Sequence, residues 1–359
     1  MNLTSKASKL VVNLAKELKE LPPPESLAFG QTKTDHMLVV NYHPVHGWSA
    51  PEIKPYAPLE IDPMASCLQY ATTIFEGMKA YVGPNGEARL FRPDLNMARL
   101  ARSAERVALP PFDQNELLKL IKRLIQVESR WIPTLPGYSL YIRPTIIGTR
   151  DALGVAASDA SCIYVIVSPT GPYFKNGGHK LGVNYAPGFL PQRHALKQGY
   201  EQILWLLGKE EKVTEILTLL ITLCASSNRS EIKLITPPLD GTILPGLTRA
   251  STLALARAHS QKTITLPGLS SSLNIVVEER PLTMAEIAAY SASNALLEAF
   301  GVGTAVIVAP VSKIGWKGKD LVLPAHEGGL GPIGQAMWKM ITDIQTGKIE
   351  FEGWSVVCE

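Results

Sequence analysis

Lys180 sits in the run Gly178-His179-Lys180-Leu181-Gly182-Val183-Asn184-Tyr185-Ala186-Pro187, a lysine among small residues with a tyrosine five positions on. Glu215 is a lone carboxylate at the entrance to the apolar run Ile216-Leu217-Thr218-Leu219-Leu220-Ile221. Glycines beside a lysine let the backbone pass close to a ligand. Lysine also shifts its pKa readily when buried, so it can shed the proton a Schiff base requires. A carboxylate in an apolar run is costly unless a cation meets it, and a protonated pyridine nitrogen would be that cation. An amine, a phenol and a nearly buried acid together suit pyridoxal phosphate and point to amino-acid chemistry rather than hydrolysis.

Each of these residues also has a plainer reading. A lone lysine is usually a solvated surface charge, and Glu215 could open a strand and face water. Arg99 shares a helix with Arg102 and Arg106. Such a row is usually a solvated face, but one guanidinium of it could clamp a phosphate bidentately. Leu244-Pro245-Gly246-Leu247-Thr248-Arg249 opens a helix whose first N–H groups make an anion site. The turn Gly301-Val302-Gly303-Thr304-Ala305 offers more N–H groups and a hydroxyl. Tyr70, Phe75, Tyr141, Arg143 and Tyr173 are either ordinary packing residues or an apolar side-chain pocket with a handle for a carboxylate.

The elements that must position these groups can be read in outline. At 359 residues the chain is long enough for two domains. It is 46% hydrophobic and 19% charged, which favours a globular chain over a disordered one. A net charge of +3 without a long basic run argues against nucleic acid as a partner. The four cysteines (Cys67, Cys162, Cys224 and Cys358) form no CxxC pair and read as reduced core thiols rather than a disulfide frame or a metal site. No apolar stretch approaches the ~18 residues of a membrane span. Residues 6–20 carry Leu10, Val11, Leu14 and Leu18 at helical spacing, together with lysines and two glutamates. They predict a short amphipathic helix in a cytosolic protein, with a mitochondrial address as the alternative.

An α+β domain follows, with strands over 36–42 and 75–82, a turn at Gly83-Pro84-Asn85-Gly86 and a returning strand over 87–92. Helices are expected over 94–107 and 113–131, the second with Asp113 and Glu116 as a capping box. Strands over 138–148 and 161–168 lead to the breaker cluster Ser168-Pro169-Thr170-Gly171-Pro172. That cluster divides a small N-terminal domain (1–172, of which 1–30 is an extension) from a larger one (173–359). The second domain should hold helices near 190–198, 246–260, 283–299 and 332–346. Its strands should lie near 202–207, 213–224, 232–236, 273–279 and 303–309.

Motifs along nearly the whole chain resemble the branched-chain amino-acid aminotransferases. They are Phe75-Glu76-Gly77-Met78-Lys79-Ala80-Tyr81, Leu90-Phe91-Arg92-Pro93, Tyr141-Ile142-Arg143-Pro144, Lys180-Leu181-Gly182 with Asn184-Tyr185, Thr214-Glu215, Pro237-Pro238-Leu239-Asp240-Gly241 with Leu244-Pro245-Gly246, and Gly303-Thr304-Ala305. The resemblance implies a two-domain α+β fold, the D-amino-acid-aminotransferase-like fold type IV of pyridoxal-phosphate enzymes, working as a homodimer. It implies transfer of the amino group of leucine, isoleucine or valine to 2-oxoglutarate by a ping-pong route. Lys180 would hold the cofactor and shuttle the proton, Tyr185 would bond the phenolate oxygen, and Glu215 would pair with the pyridine nitrogen. Arg99, Leu247, Thr248 and Thr304 would hold the phosphate. Tyr70, Thr218 and Ala305 would receive the substrate carboxylate. Phe75, Tyr141 and Tyr173 would wall the branched side chain, and Arg143 would bind the γ-carboxylate of glutamate.

The chain departs from that family in three places. Lys175-Asn176-Gly177-Gly178-His179 replaces a longer segment that carries the interdomain loop and a strand. Leu217-Thr218-Leu219-Leu220 stands where the family has Gly-Thr-Met-Asn, and Ala292-Ser293-Asn294-Ala295 replaces a Glu-Gly helix. Val306 and Ala309 occupy the positions of a CxxC pair found in some animal members, so no thiol switch of that kind operates. Two rivals therefore stay open: a catalytically impaired or non-catalytic paralogue or splice variant, and a D-amino-acid aminotransferase or aminodeoxychorismate lyase of the same fold.

Overall fold

The computed structural model describes residues 7–171, 182–214, 218–224 and 230–359. They form two compact units: the described chain up to residue 171 with 182–186 and Ile344–Glu359, and Pro187–Asp343.

The first unit is built on a ten-stranded sheet. Its strands are β1 (Val11–Val12), β2 (His36–His43), β3 (Gly47–Trp48), β4 (Glu52–Pro55), β5 (Thr73–Phe75), β6 (Met78–Val82), β7 (Ala88–Phe91), β8 (Ser139–Gly148) and β9 (Ser161–Thr170), with one more from the C-terminus. The main path runs β1-β4-β2-β9-β8-β6-β7, with β3 on β2 and β5 on β8. Helix α1 (Ser66–Tyr70) is a short turn, whereas α2 (Pro93–Arg106) and α3 (Gln114–Val127) are amphipathic. Leu100 of α2 and Leu117, Leu120, Ile121, Leu124 and Ile125 of α3 share one core with Leu38, Ile74, Met78, Ala80, Leu90, Leu140, Ile142, Ile163 and Val165. These strand residues alternate, so their neighbours point to the opposite face of the sheet. That second face carries Lys79, Tyr81, Tyr141 and Arg143 on β6 and β8, and an apolar group of Met37, Val39, Ile147 and Cys162 toward β2 and β9.

The N-terminal segment corrects the sequence reading. In place of a helix over 6–20 there is one 3-10 turn, Ala7–Lys9, and then extended chain pairing through β1 with β4. Its N–H groups find fixed acceptors: Asn13 donates to the Ile53 carbonyl, Ala15 to His36 Nε2 at 2.8 Å and Lys19 to Asp35 Oδ1 at 2.8 Å. Leu14 and Leu18 stay exposed, so the helical spacing had no face to bury and an isolated helix of this length is marginal. At α3, Asp113 Oδ1 accepts from the N–H groups of Asn115 and Glu116, as an N-cap should. The carboxylate of Glu116 receives the N–H of Ala7 at 2.6 Å and the ammonium of Lys119, a use outside the expected capping box.

Helix α4 (Gly182–Lys197) follows and is longer than the helix expected near 190–198. The second unit's main sheet has the order β14-β13-β12-β15-β16. Its strands are β12 (Thr218–Cys224), β13 (Glu231–Thr236), β14 (Asn274–Glu279), β15 (Leu296–Gly303) and β16 (Ile307–Pro310). Two small hairpins, β10 (Leu206–Leu207) with β11 (Lys212–Val213) and β17 (Lys313–Trp316) with β18 (Lys319–Val322), complete its strands among the described residues. The helices are α5 (Leu247–Ser260), α6 (Met284–Ala292) and α7 (Pro332–Gln345).

Residues 296–299, expected as helix, are strand. Asn294 takes a left-handed φ of 56° and ends α6, and β15 then runs between β12 and β16 with Leu296, Ala299 and Phe300 buried. A strand buried on both faces loses the alternation that would mark it, so its apolar run reads like helix. The strand expected over 202–207 is reduced to two residues, and of that expected over 213–224 the described residues show one strand ending at Val213 and another beginning at Thr218. Glu298 of β15 accepts from the N–H groups of Ile333 and Gly334 and caps α7. The last strand, β19 (Ser355–Val357), pairs with β7, so the tail assigned by sequence to the second domain belongs to the first unit's sheet.

Candidate active site

Between β5 and β6 the chain passes through Glu76 and Gly77. Glu76 is 1% exposed and faces Arg99, 4% exposed, on the inner side of α2. The Arg99 guanidinium donates through Nε to Oε1 at 2.6 Å and through Nη2 to Oε2 at 2.8 Å. Asn96, one helical turn earlier, donates to the same carboxylate at 2.8 Å and to the Gly77 carbonyl at 3.2 Å. A buried charge pair needs such geometry and extra hydrogen bonds to offset its desolvation. Of the arginine row on α2, Arg102 and Arg106 are exposed and Arg99 alone turns inward.

Tyr141 and Arg143 stand on the sheet face opposite the core. The Tyr141 hydroxyl accepts from Arg143 Nη2 at 3.0 Å, and its ring meets Phe29 edge-on at 4.7 Å. The Arg143 guanidinium lies over the Phe75 ring at 4.3 Å, in cation–π range. Its Nε is buried without a hydrogen-bond partner among the described residues. A Cβ on Gly77 would overlap the Tyr141 hydroxyl, so glycine is required for this approach. Phe75, Tyr141 and Arg143 are thus brought together as the sequence suggested: an apolar wall with a guanidinium on it. Tyr70 is exposed at the end of α1, and its hydroxyl donates to the Leu153 carbonyl.

In the second unit Gly246 precedes α5, so the first turn at Leu247 and buried Thr248 receives no side-chain cap. Its N–H groups suit an outside anion such as a phosphate. Helix α5 packs on β14 and β15. Thr304, Ala305 and Val306 form the turn between β15 and β16, closed by the pair Gly303–Ile307. Ile307 takes a φ of 62°, an uncommon conformation for a β-branched residue. Arg249 points away from the helix tip, with Nη2 bonded to the Pro237 carbonyl and to Glu279. Tyr185 falls within α4, and Thr218 opens β12 opposite Val302. Lys180, Tyr173 and Glu215, and the shortened stretch before Lys180, lie outside the described residues. The described donors therefore fit the phosphate end of the expected cofactor.

Sequence reasoning did not single out Glu76 and Asn96, which hold Arg99, nor Gly77 and Lys79, which lie against and across from Tyr141. Their signal was present: a carboxylate and a lysine flanking Gly77-Met78 within a strand-like run. A cleft of about 1160 Å³ on the first unit, lined by His43, His46, Lys54, Asp62 and Arg150 among others, includes none of the predicted site residues. Among the described residues no cluster of His, Cys, Asp or Glu could hold a metal ion, and no helix is long and apolar enough to cross a membrane.

The class IV aminotransferase family matches residues 73–314. The chain is 42% identical to the cytosolic branched-chain-amino-acid aminotransferase of Mus musculus, over 98% of this chain and 93% of that protein. It is 41% identical to the mitochondrial form of Saccharomyces cerevisiae, over 97% of this chain and 92% of that one. Among solved structures, the branched-chain aminotransferase of Thermoproteus uzoniensis with norvaline superposes with a TM-score of 0.68 at 23% identity, covering 90% of this chain and all of that one. The branched-chain amino acid aminotransferase of Thermobaculum terrenum in its PLP form gives 0.67 at 19%, covering 92% and 100%. The chain belongs to the class IV aminotransferases and, within them, to the branched-chain-amino-acid aminotransferase family.

Proposed function

We propose that this chain transfers the amino group of leucine, isoleucine or valine to 2-oxoglutarate, with pyridoxal 5'-phosphate as cofactor. The observation that carries the reading is the wall formed by Phe75, Tyr141 and Arg143. One pocket must take an apolar side chain in one half of the reaction and a carboxylate in the other. Aromatic faces accept the first, and a guanidinium lying on one of those faces accepts the second. When bound, the cofactor supplies the electron sink for chemistry at the amino acid's Cα.

Arg99, its plane fixed by Glu76, and the N–H groups of Leu247, Thr248 and Thr304 would hold the phosphate. Lys180 would move the proton, with Tyr185 and Glu215 bonding the ring's two polar ends. Tyr70, Thr218 and Ala305 would take the α-carboxylate, and Tyr173 would close the side-chain wall. The working form is proposed to be a homodimer. Leu68, Leu153 and Val155 are exposed by 60, 54 and 89% on the first unit, apolar side chains that an assembly would bury. Sedimentation of the purified protein checks this. The relatives include both cytosolic and mitochondrial enzymes, and a cytosolic location is the preferred reading here.

Purified protein loaded with pyridoxal phosphate should develop a visible band that L-leucine bleaches and K180A abolishes. D-alanine and aminodeoxychorismate should leave the band unchanged. Bleaching by D-alanine alone would turn the assignment toward the D-amino-acid branch of the fold. A stable band that L-leucine never alters would favour a non-catalytic member, as the short interval between Tyr173 and Lys180 would suggest.

A further inference from the structure

Lys79 lies in the middle of β6, between Met78 and Ala80, both of which belong to the first unit's core. Alternation along the strand turns Lys79 to the opposite face. The antiparallel register sets it directly across from Tyr141 on β8, with Arg143 on the diagonal. Side chains directly opposite on adjacent strands touch, and diagonal ones are ~7–8 Å apart at the backbone, within reach of a lysine. The residue is only 8% exposed. Burial lowers the ammonium's pKa to about 8, which still leaves it mostly charged at neutral pH.

We propose that Lys79 is a second cationic determinant for dicarboxylate substrates, adding its charge to the Tyr141–Arg143 group that receives the distal carboxylate. It acts on the field at that group and sets the balance between acidic and apolar side chains in one pocket. The inference rests on the reading of 2-oxoglutarate as amino acceptor.

The test is calorimetric titration of the cofactor-loaded protein with glutarate, a dicarboxylate, and with 4-methylvaleric acid, an apolar monocarboxylate, at pH 7. K79M should weaken glutarate about tenfold or more while leaving 4-methylvaleric acid within about twofold. K79R, which keeps the charge, should retain glutarate binding. K79Q provides a second neutral variant should K79M fold poorly. Equal weakening of both ligands would show a merely structural role and overturn the proposal, as would unchanged glutarate binding. Wild-type protein that binds 4-methylvaleric acid, with glutarate insensitive to Lys79, would sink this inference and leave the branched-chain reading standing. Wild-type protein that binds neither ligand would sink both.

Discussion

The two units present their candidate binding groups in different ways. On the first, the candidate recognition surface is made of side chains: a buried carboxylate bonds Arg99, a phenol bonds Arg143, and buried Lys79 lies across from that phenol's strand position. On the second, it is made of backbone: the uncapped turn of α5 and the Thr304–Ala305 turn. A side-chain wall can tell substrates apart but depends on every member. A backbone platform is indifferent to side-chain identity and suits a group common to every turnover.

The sharpest way to break this contrast is to strand a charge. E76A leaves the Arg99 guanidinium buried without its carboxylate and should destabilise the first unit by about 3–5 kcal/mol, read from denaturant unfolding. A loss below about 1 kcal/mol would mean that the Arg99 plane is held by other groups.

Lys79 gives a pH signature of the same wall. Its folded-state pKa is lowered from 10.5 to about 8 by burial. Between those values the unfolded chain binds the proton and the folded chain does not, so stability should rise with pH across that window. The full swing is about 3 kcal/mol, from ~1.4 kcal/mol per unit. Below about 8 both states are protonated and the burial penalty is constant. K79M should flatten the window. Tyr81, two residues along on the same face, has its phenol pushed well up by burial and stays neutral throughout. Glutarate binding should weaken as pH passes about 8 and recover that lost affinity in K79R.

G77A tests packing rather than charge. Its methyl would overlap the Tyr141 hydroxyl and displace the Tyr141–Arg143 pair. A tenfold loss of glutarate affinity, roughly 1.4 kcal/mol, is the expected result, with cofactor retention unchanged.

The smallest effect should come from the platform. T248A keeps the N–H and should change pyridoxal phosphate affinity by less than about twofold. T248P removes that N–H at a position where a helix tolerates proline, and should weaken binding more. If T248A and T248P behaved alike, the anion would be held by the hydroxyl and the backbone account would fail.

The same division decided what could be read from the sequence. The α5 platform was legible because Pro245-Gly246 before an apolar helix is a local signal. Phe75, Tyr141 and Arg143 were legible as residue types, but their grouping needed the β5–β8 and β6–β8 pairings, which are long-range. Glu76 and Arg99 are 23 positions apart and meet only because α2 packs behind the sheet, so neither residue announces the other. The N-terminal segment carries amphipathic spacing without forming a helix, because the acceptors at His36 and Asp35 hold it extended. Strand β15 misled because burial on both faces erases the period of two.

One measurement reaches the centre of this account: the two half-reactions followed in the same cofactor-loaded protein, with L-leucine and with L-glutamate, before and after R143M. The wild type should be bleached by both amino acids. R143M should keep the leucine reaction within a few-fold and lose about a hundredfold with glutamate, as expected for a charge-assisted bidentate contact worth ~2–3 kcal/mol. Equal losses for both amino acids, or a glutamate reaction indifferent to the change, would contradict a wall that serves two kinds of side chain through one guanidinium.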